Sequence, residues 1–309
     1  MITCNPIRVS MADITASSVS YPDTGEGAWS AVASYSLGAT VSYQINGVWH
    51  RFESKQGSNL NNLPTAYPDD TTNEWWLDLG WVNQLALFQL ERNTQTIATS
   101  PYSVTVDPND RFGVIGVGNV MADDVTLEVY DDSAALVHTE TKLMKKRDVY
   151  DWYSWTYEPF YQTSGTLFTD IPMSTLYTFK LIFTDSSGTV KVGAVVPGVP
   201  LDIGRALIGT SIKRLNFSSF ERDEFGETKI TIRRNIPRLD FTLLIDKVKI
   251  NNVMRLLDDL NGLVTFYAGI VETEHGYFDS VFIIGLYKEI SYQINLPKYV
   301  NGSIEIEAL

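Results

Sequence analysis

Cysteine is almost absent: Cys4 is the only one in 309 residues. A lone thiol excludes an intramolecular disulfide framework and a thiolate zinc cluster. Histidine is nearly as scarce, and His50, His138 and His275 fall on three separate predicted segments with no metal-ligand spacing among them. Basic residues are outnumbered, 24 Lys and Arg against 37 Asp and Glu, for a formal charge of −13. Nucleic acid or an anionic membrane would require a basic face, so neither is an expected partner. No apolar run is long enough to span a bilayer, and 1–18 has no charged region followed by an apolar core. No transmembrane segment and no signal peptide are predicted. The expectation is a chain made in a cytoplasm, leaving it by a route such as lysis.

Catalytic signatures are missing as well. The stretch 112–121, FGVIGVGNVM, mimics a strand entering a dinucleotide loop, but Met121 replaces the third small residue. The following 125–130 reads as a strand, so no helix N-terminus is offered to a pyrophosphate. Asp107, Asn109 and Asp110 resemble part of a calcium loop without its bidentate glutamate, and a turn is expected there. The acidic pairs Asp69-Asp70, Asp123-Asp124, Asp131-Asp132 and Asp258-Asp259 are adjacent in sequence, unlike the two carboxylates that face each other across a glycosidase cleft. No serine sits in a nucleophile elbow. The expectation is no catalytic residue, no cofactor and no metal: a protein that is not an enzyme.

What is present is length, aromatic side chains and strand patterning. The chain is long for one core, so several domains are expected. Residues 1–27 are small, polar and turn-rich, with a turn at 21–25, and read as an N-terminal strand or arm. In 28–85, Val41 and Tyr43 alternate with polar neighbours, Asn46-Gly47 is a two-residue hairpin signal, and 48–53 is the return strand. Trp29, Tyr35, Gly38, Val41, Tyr43, Gly47, Phe52, Gly57, Pro64, Trp76 and Gly80 occur in an order and spacing similar to the small chitin- and cellulose-binding modules and their relatives in bacteriophage tail proteins. The resemblance implies exposed rings stacking on sugar rings, with Trp49, Trp75, Trp76 and Tyr43 as candidate glycan contacts. Where polysaccharide-binding members carry aromatics after the return strand, this chain has Ser54-Lys55-Gln56. The plainer alternative is that Trp29, Phe52 and one of Trp75 or Trp76 fill a small core.

Residues 86–200 read as a β-sandwich, with strands at 102–106, 112–117, 125–130, 135–139, 178–184 and 190–195 between turn clusters. The run 150–161, YDWYSWTYEPFY, interrupts this pattern. Read as a strand, its alternation puts rings on both faces. Trp152, Tyr153, Trp155 and Tyr157 are therefore candidate interface residues, with an aromatic minicore or a second sugar platform as the alternatives.

Residues 201–309 carry the one clear helix. Val253, Leu256, Leu257 and Leu260 fall at i, i+3, i+4 and i+7, with Asn251 or Asn252 as the expected cap and Asn261-Gly262 as the stop. Strands are expected at 229–233 with one face buried, and at 241–245, 264–267, 280–287 and 303–307. The charged hairpin 220–235, FERDEFGETKITIRRN, carries both signs and suits pairing between neighbours, with Glu224, Arg233 and Arg234 as candidate contacts. Together with the LLDDLNG helix and the final SIEIEAL strand, this block resembles tail-tip proteins of long-tailed bacteriophages. That resemblance implies a virion structural part at a tail tip or baseplate, docked to other tail proteins and to copies of itself in a symmetric assembly. Host cell-surface polysaccharide is a further expected partner, met through the N-terminal module. The fold class expected is mostly β, a sandwich plus a small β module, with a C-terminal α+β domain. The alternative function is a glycoside hydrolase with an appended carbohydrate-binding module.

Overall fold

A computed structural model describes the chain except Pro22, Thr24, Gly25, 67–72, Asp148, Ile208, Asp223, Phe225, Glu274, His275, Asn295, Leu296 and Leu309. The Asp69-Asp70 pair, His275 and part of the turn expected at 21–25 therefore lie outside the described residues. The fold is mostly β, with one main helix. It divides into a unit of Ile7–Pro197 and a unit of Met1–Pro6 with Gly198–Leu309.

The Ile7–Pro197 unit is a two-layer β-sandwich. One layer runs Leu136–Leu143, Asp124–Tyr130, Thr178–Thr184, Tyr102–Val106, Ile14–Ser17 in spatial order, all antiparallel. The other contains Gly165–Phe168, Val114–Met121, the first part of Thr189–Asp202, and Thr96–Thr99. Alternation explains the packing. Val104, Val106, Val125, Leu127, Val129, Phe179, Leu181 and Phe183 point inward from the first layer onto Ile115, Val117, Phe168, Val190 and Val192 of the second. The 107–110 segment is a turn as expected, with Asn109 at φ 49° and its N–H donated to Asp107 Oδ1. The glycine-bearing 112–121 stretch becomes the strand Val114–Met121.

The N-terminal 28–85 segment forms a small sheet within this unit, in the order Gly27–Ala28, Thr40–Ile45, Val48–Ser54, Trp76–Trp81. Asn46 and Gly47 both have positive φ, 50° and 84°, as a tight type I′ hairpin turn requires. Val41, Phe52 and Trp76 make its core.

In the second unit, Ile2–Pro6 pairs antiparallel with residues 198–202 on one side and with Thr265–Ala268 on the other. The sheet continues through Phe282–Gln293, Tyr299–Ala308 and Asn235–Asp246. The stretch 1–27, expected as an N-terminal strand or arm, thus contains strands. Main-chain hydrogen bonding takes up Ile2–Pro6 here and Ile14–Ser17 in the sandwich. The helix Ile250–Asp259 lays Val253 and Leu257 onto Phe241, Leu243, Ile304 and Ile306. It starts without a side-chain cap: the 3-10 turn Lys247–Lys249 leads into it, and Asn251 and Asn252 lie inside it rather than capping it. Gly262, at φ 75°, follows its end. The stretch expected as a strand from 280 begins as the short helix Phe278–Val281 and becomes the strand Phe282–Gln293.

Candidate functional site

Three surfaces carry the residues singled out in the sequence. In the N-terminal module, register decides which rings are available. Tyr43 stands opposite His50 and Gln44 opposite Trp49, so Tyr43 and Trp49 face opposite sides of the sheet. Trp49 turns toward the sandwich core and packs on Tyr21, ring centroids 4.9 Å apart. Trp76 is 0 % exposed, and its indole N–H donates to the Asn62 carbonyl at 2.8 Å. Trp76 is therefore a packing residue, and Trp49 is half-buried: a domain this small draws its large rings inside. Tyr43 and Trp75 are half-buried in the same cluster as Trp76, and Trp29 meets Tyr43 edge-on at 5.5 Å. Tyr43, Trp49 and Trp75 all keep some ring surface in solvent, and Trp76 keeps none.

On the neighbouring strands sits a buried ionic group that sequence reading missed. Asp78 accepts from the Gly80 N–H at 2.8 Å and lies 3.3 Å from both His50 Nδ1 and Arg92. Its carboxylate is almost fully buried, and the Arg92 guanidinium, the His50 ring and the backbone donor compensate its desolvation. The three residues are far apart in sequence, and no motif announces them.

The second surface is the aromatic run, and its secondary structure differs from expectation. It is not a two-faced strand. Trp152–Tyr157 is a helix, closed off by the two-stranded ladder Lys145–Lys146 with Tyr161–Gln162. Six residues are too few for a stable isolated helix. A capping box holds this one: Asp151 Oδ1 accepts from the Ser154 N–H at 2.7 Å, and the Ser154 hydroxyl oxygen accepts from the N–H groups of Asp151 and Tyr150 at 2.9 Å each. Hydrogen bonding to its carboxylate, from the Ser154 N–H first and the Ser154 hydroxyl next, holds Asp151 below the ordinary aspartate range. Ser154 is the helix's one buried residue. All the rings therefore point outward: Tyr150 is 85 % exposed, Trp152 83 %, Tyr153 70 %, Trp155 54 %, Tyr157 68 % and Phe160 64 %. Trp152 and Trp155 meet nearly perpendicular, 77° at 5.8 Å, and Tyr153 lies against Tyr157 at 4.9 Å. Arg147, not singled out in the sequence, sits 4.9 Å from the Phe160 ring centroid and 5.8 Å from that of Trp155. Val149, Tyr150, Asp151, Trp152 and Trp155 line a groove of about 510 Å³.

The exposed ring area is large. At ~150–250 Å² per aromatic side chain, these six residues present on the order of 600–1,100 Å² to solvent. The largest apolar patch of an ordinary monomer is ~300–600 Å².

The third surface is the charged hairpin. Ser219–Arg222 pairs with Thr228–Thr231 in a ladder that shares no strand with any other sheet. The burial expected for one face of 229–233 is absent, and every residue of Thr228–Thr231 is exposed. Among the described residues no third strand joins this ladder, and period-2 alternation on a lone pair has little to bury against. Glu224, Arg233 and Arg234 are exposed on this arm.

Among the described residues, no group of three or more His, Cys, Asp or Glu could hold a metal ion, and no helix is long and apolar enough to cross a membrane. Asp123, of the 123–124 pair, faces Lys145 and receives the Ser186 N–H at 2.8 Å. No protein family and no curated protein matches the chain. Among solved structures it is similar to CpGH89CBM32-5 from Clostridium perfringens, in complex with GalNAc-β-1,3-galactose. The identity is 12 %, the match spans 37 % of this chain and 81 % of that one, and the TM-score is 0.23, too slight a likeness to bear on ligand or function.

Proposed function

We propose that this chain is a non-enzymatic structural and attachment protein of a bacteriophage tail tip or baseplate, made in the host cytoplasm and built into the virion. One observation carries the reading. A six-residue helix is fixed by its own capping box so that its rings face solvent. Burying six rings inside would stabilise the fold; holding them outside serves a partner surface, because tyrosine and tryptophan dominate the energetics of protein contacts. Their area matches the ~800 Å² that one partner contributes to a standard interface. The sequence resemblance of the hairpin–helix–strand block to tail-tip proteins supplies the kind of partner, other tail subunits. In this reading the N-terminal module is displayed outward, and Tyr43 and Trp75 are the rings it offers to host polysaccharide.

The test is direct. Tail particles purified from the phage that encodes this chain should contain it, and the double variant Trp152→Ala/Trp155→Ala should fold but fail to be incorporated. Absence of the chain from particles, or normal incorporation of the variant, overturns the reading. A second reading rests on the groove between Tyr150 and Trp155, where perpendicular indoles beside a carboxylate form a shape that a neutral sugar can stack into. Glycan binding by the purified chain that is lost in Trp152→Ala would favour it.

A further inference from the structure

We infer that the groove between Val149 and Trp155 is an aromatic cage for a quaternary ammonium cation, such as the trimethylammonium group of choline. This goes beyond the contact reading above and does not rest on it. It concerns a small ligand on Tyr150, Trp152 and Trp155, and leaves Tyr153, Tyr157 and Phe160 to a protein partner.

The lining sets the shape. Its described residues are Val149, Tyr150, Asp151, Trp152 and Trp155. Three of the five are aromatic and open to solvent. The Trp152 and Trp155 rings stand at 77° with centroids 5.8 Å apart. Two planes near a right angle make a corner, and the face of an indole attracts a cation. Local hydrogen bonds hold the corner before any ligand arrives. The Ser154 hydroxyl oxygen accepts from the Tyr150 and Asp151 N–H groups, and Asp151 accepts from the Ser154 N–H. The cluster already seats one cation, because Arg147 lies 5.8 Å from the Trp155 ring centroid. The Asp151 carboxylate supplies negative charge for a second.

Charge and hydrogen bonding choose the ligand. The carboxylate repels an anion, and a neutral sugar draws nothing from its charge. A primary ammonium or a guanidinium must replace strong hydrogen bonds to water. Among the described lining residues, the side-chain acceptors are the Tyr150 hydroxyl and the Asp151 carboxylate, which already takes the Ser154 N–H. A quaternary ammonium has no N–H to satisfy. Its methyl groups suit the ring faces and Val149, and its charge suits Asp151.

The test is a titration of the purified full chain, followed by the indole N–H resonances of Trp152 and Trp155. The probes are choline and its neutral isostere 3,3-dimethyl-1-butanol. Choline should shift both resonances and saturate, and the isostere should bind about tenfold more weakly or not at all. Trp152→Leu should abolish the response. Asp151→Asn keeps a capping oxygen and should retain slow amide exchange at Trp155 while weakening choline several-fold. Equal response to the two probes, no response to choline, or choline binding unchanged in Trp152→Leu each overturns the cage. So does N-acetylglucosamine binding at these rings more tightly than choline. Phosphatidylcholine vesicles separate the sources of the group. Capture that free choline competes away makes a lipid headgroup a ligand, and binding of free choline alone makes it a soluble or polymer-borne group; both uphold the site. A chain that ignores choline yet enters tail particles overturns the cage and leaves the tail-tip reading standing.

Discussion

Trp76 and Trp152 carry the same side chain to opposite ends. Trp76 is enclosed by Val41, Phe52 and Tyr35, while Trp152 stands in water. Truncation should separate them. Trp76→Ala leaves a cavity and should cost about 3–5 kcal/mol in urea unfolding of its unit. Trp152→Ala should change stability by less than about 0.5 kcal/mol while removing partner binding. Asp123 provides a pH test. Its carboxyl is held down to about 2, first by Lys145 and then by Ser186. A lowered acid pKa adds stability that is complete above the ordinary aspartate range and is lost as pH falls through about 2. The gap in unfolding midpoint between wild type and Asp123→Asn should therefore be full at neutral pH and close in that acid window. The pair is partly exposed, so the gap should not exceed about 1 kcal/mol. Much at this scale was hidden from the sequence. Whether Trp75 or Trp76 fills the core depends on strand register, which residue types alone do not fix. The Asp78–His50–Arg92 group depends on two strands and a turn meeting.

At the scale of elements, local hydrogen bonding overrode β-propensity in the aromatic run. Tyr and Trp favour strands. Asp151 and Ser154, three apart, supply a capping box that starts a turn of helix instead, and the spacing was visible in the sequence. Ser154→Ala should unravel Trp152–Tyr157, costing about 1–2 kcal/mol locally, seen as faster amide exchange at Trp155 and Glu158 with the sandwich unaffected. The helix Ile250–Asp259 was legible because four apolar residues at a 3.6 period leave little alternative. Its start was not, because the preceding 3-10 turn took over the role expected of an asparagine cap. The Asn46-Gly47 hairpin and the strands Tyr102–Val106 and Thr178–Thr184 were legible for the same reason: turn chemistry and period-2 patterning agreed.

For the molecule as a whole, the two units are not consecutive stretches of sequence. Ile2–Pro6 completes the unit built mainly from 198–309, and no sequence pattern marks that return, because strand pairing across ~200 residues leaves no local signal. Removing residues 1–6 should expose the pairing edges of 198–202 and Thr265–Ala268. The calorimetric transition of that unit should fall or disappear while the sandwich transition remains. The other large-scale feature is what stays uncovered: six rings on and flanking one short helix, and the hairpin of Ser219–Arg222 with Thr228–Thr231. Oxidative footprinting of Trp152 and Trp155, in the free chain and in purified tail particles, tests their role most directly. If the rings are a contact surface, both indoles react freely in the isolated chain and are strongly protected in the particle. Equal reactivity in the two states, with the chain present in the particle, contradicts it.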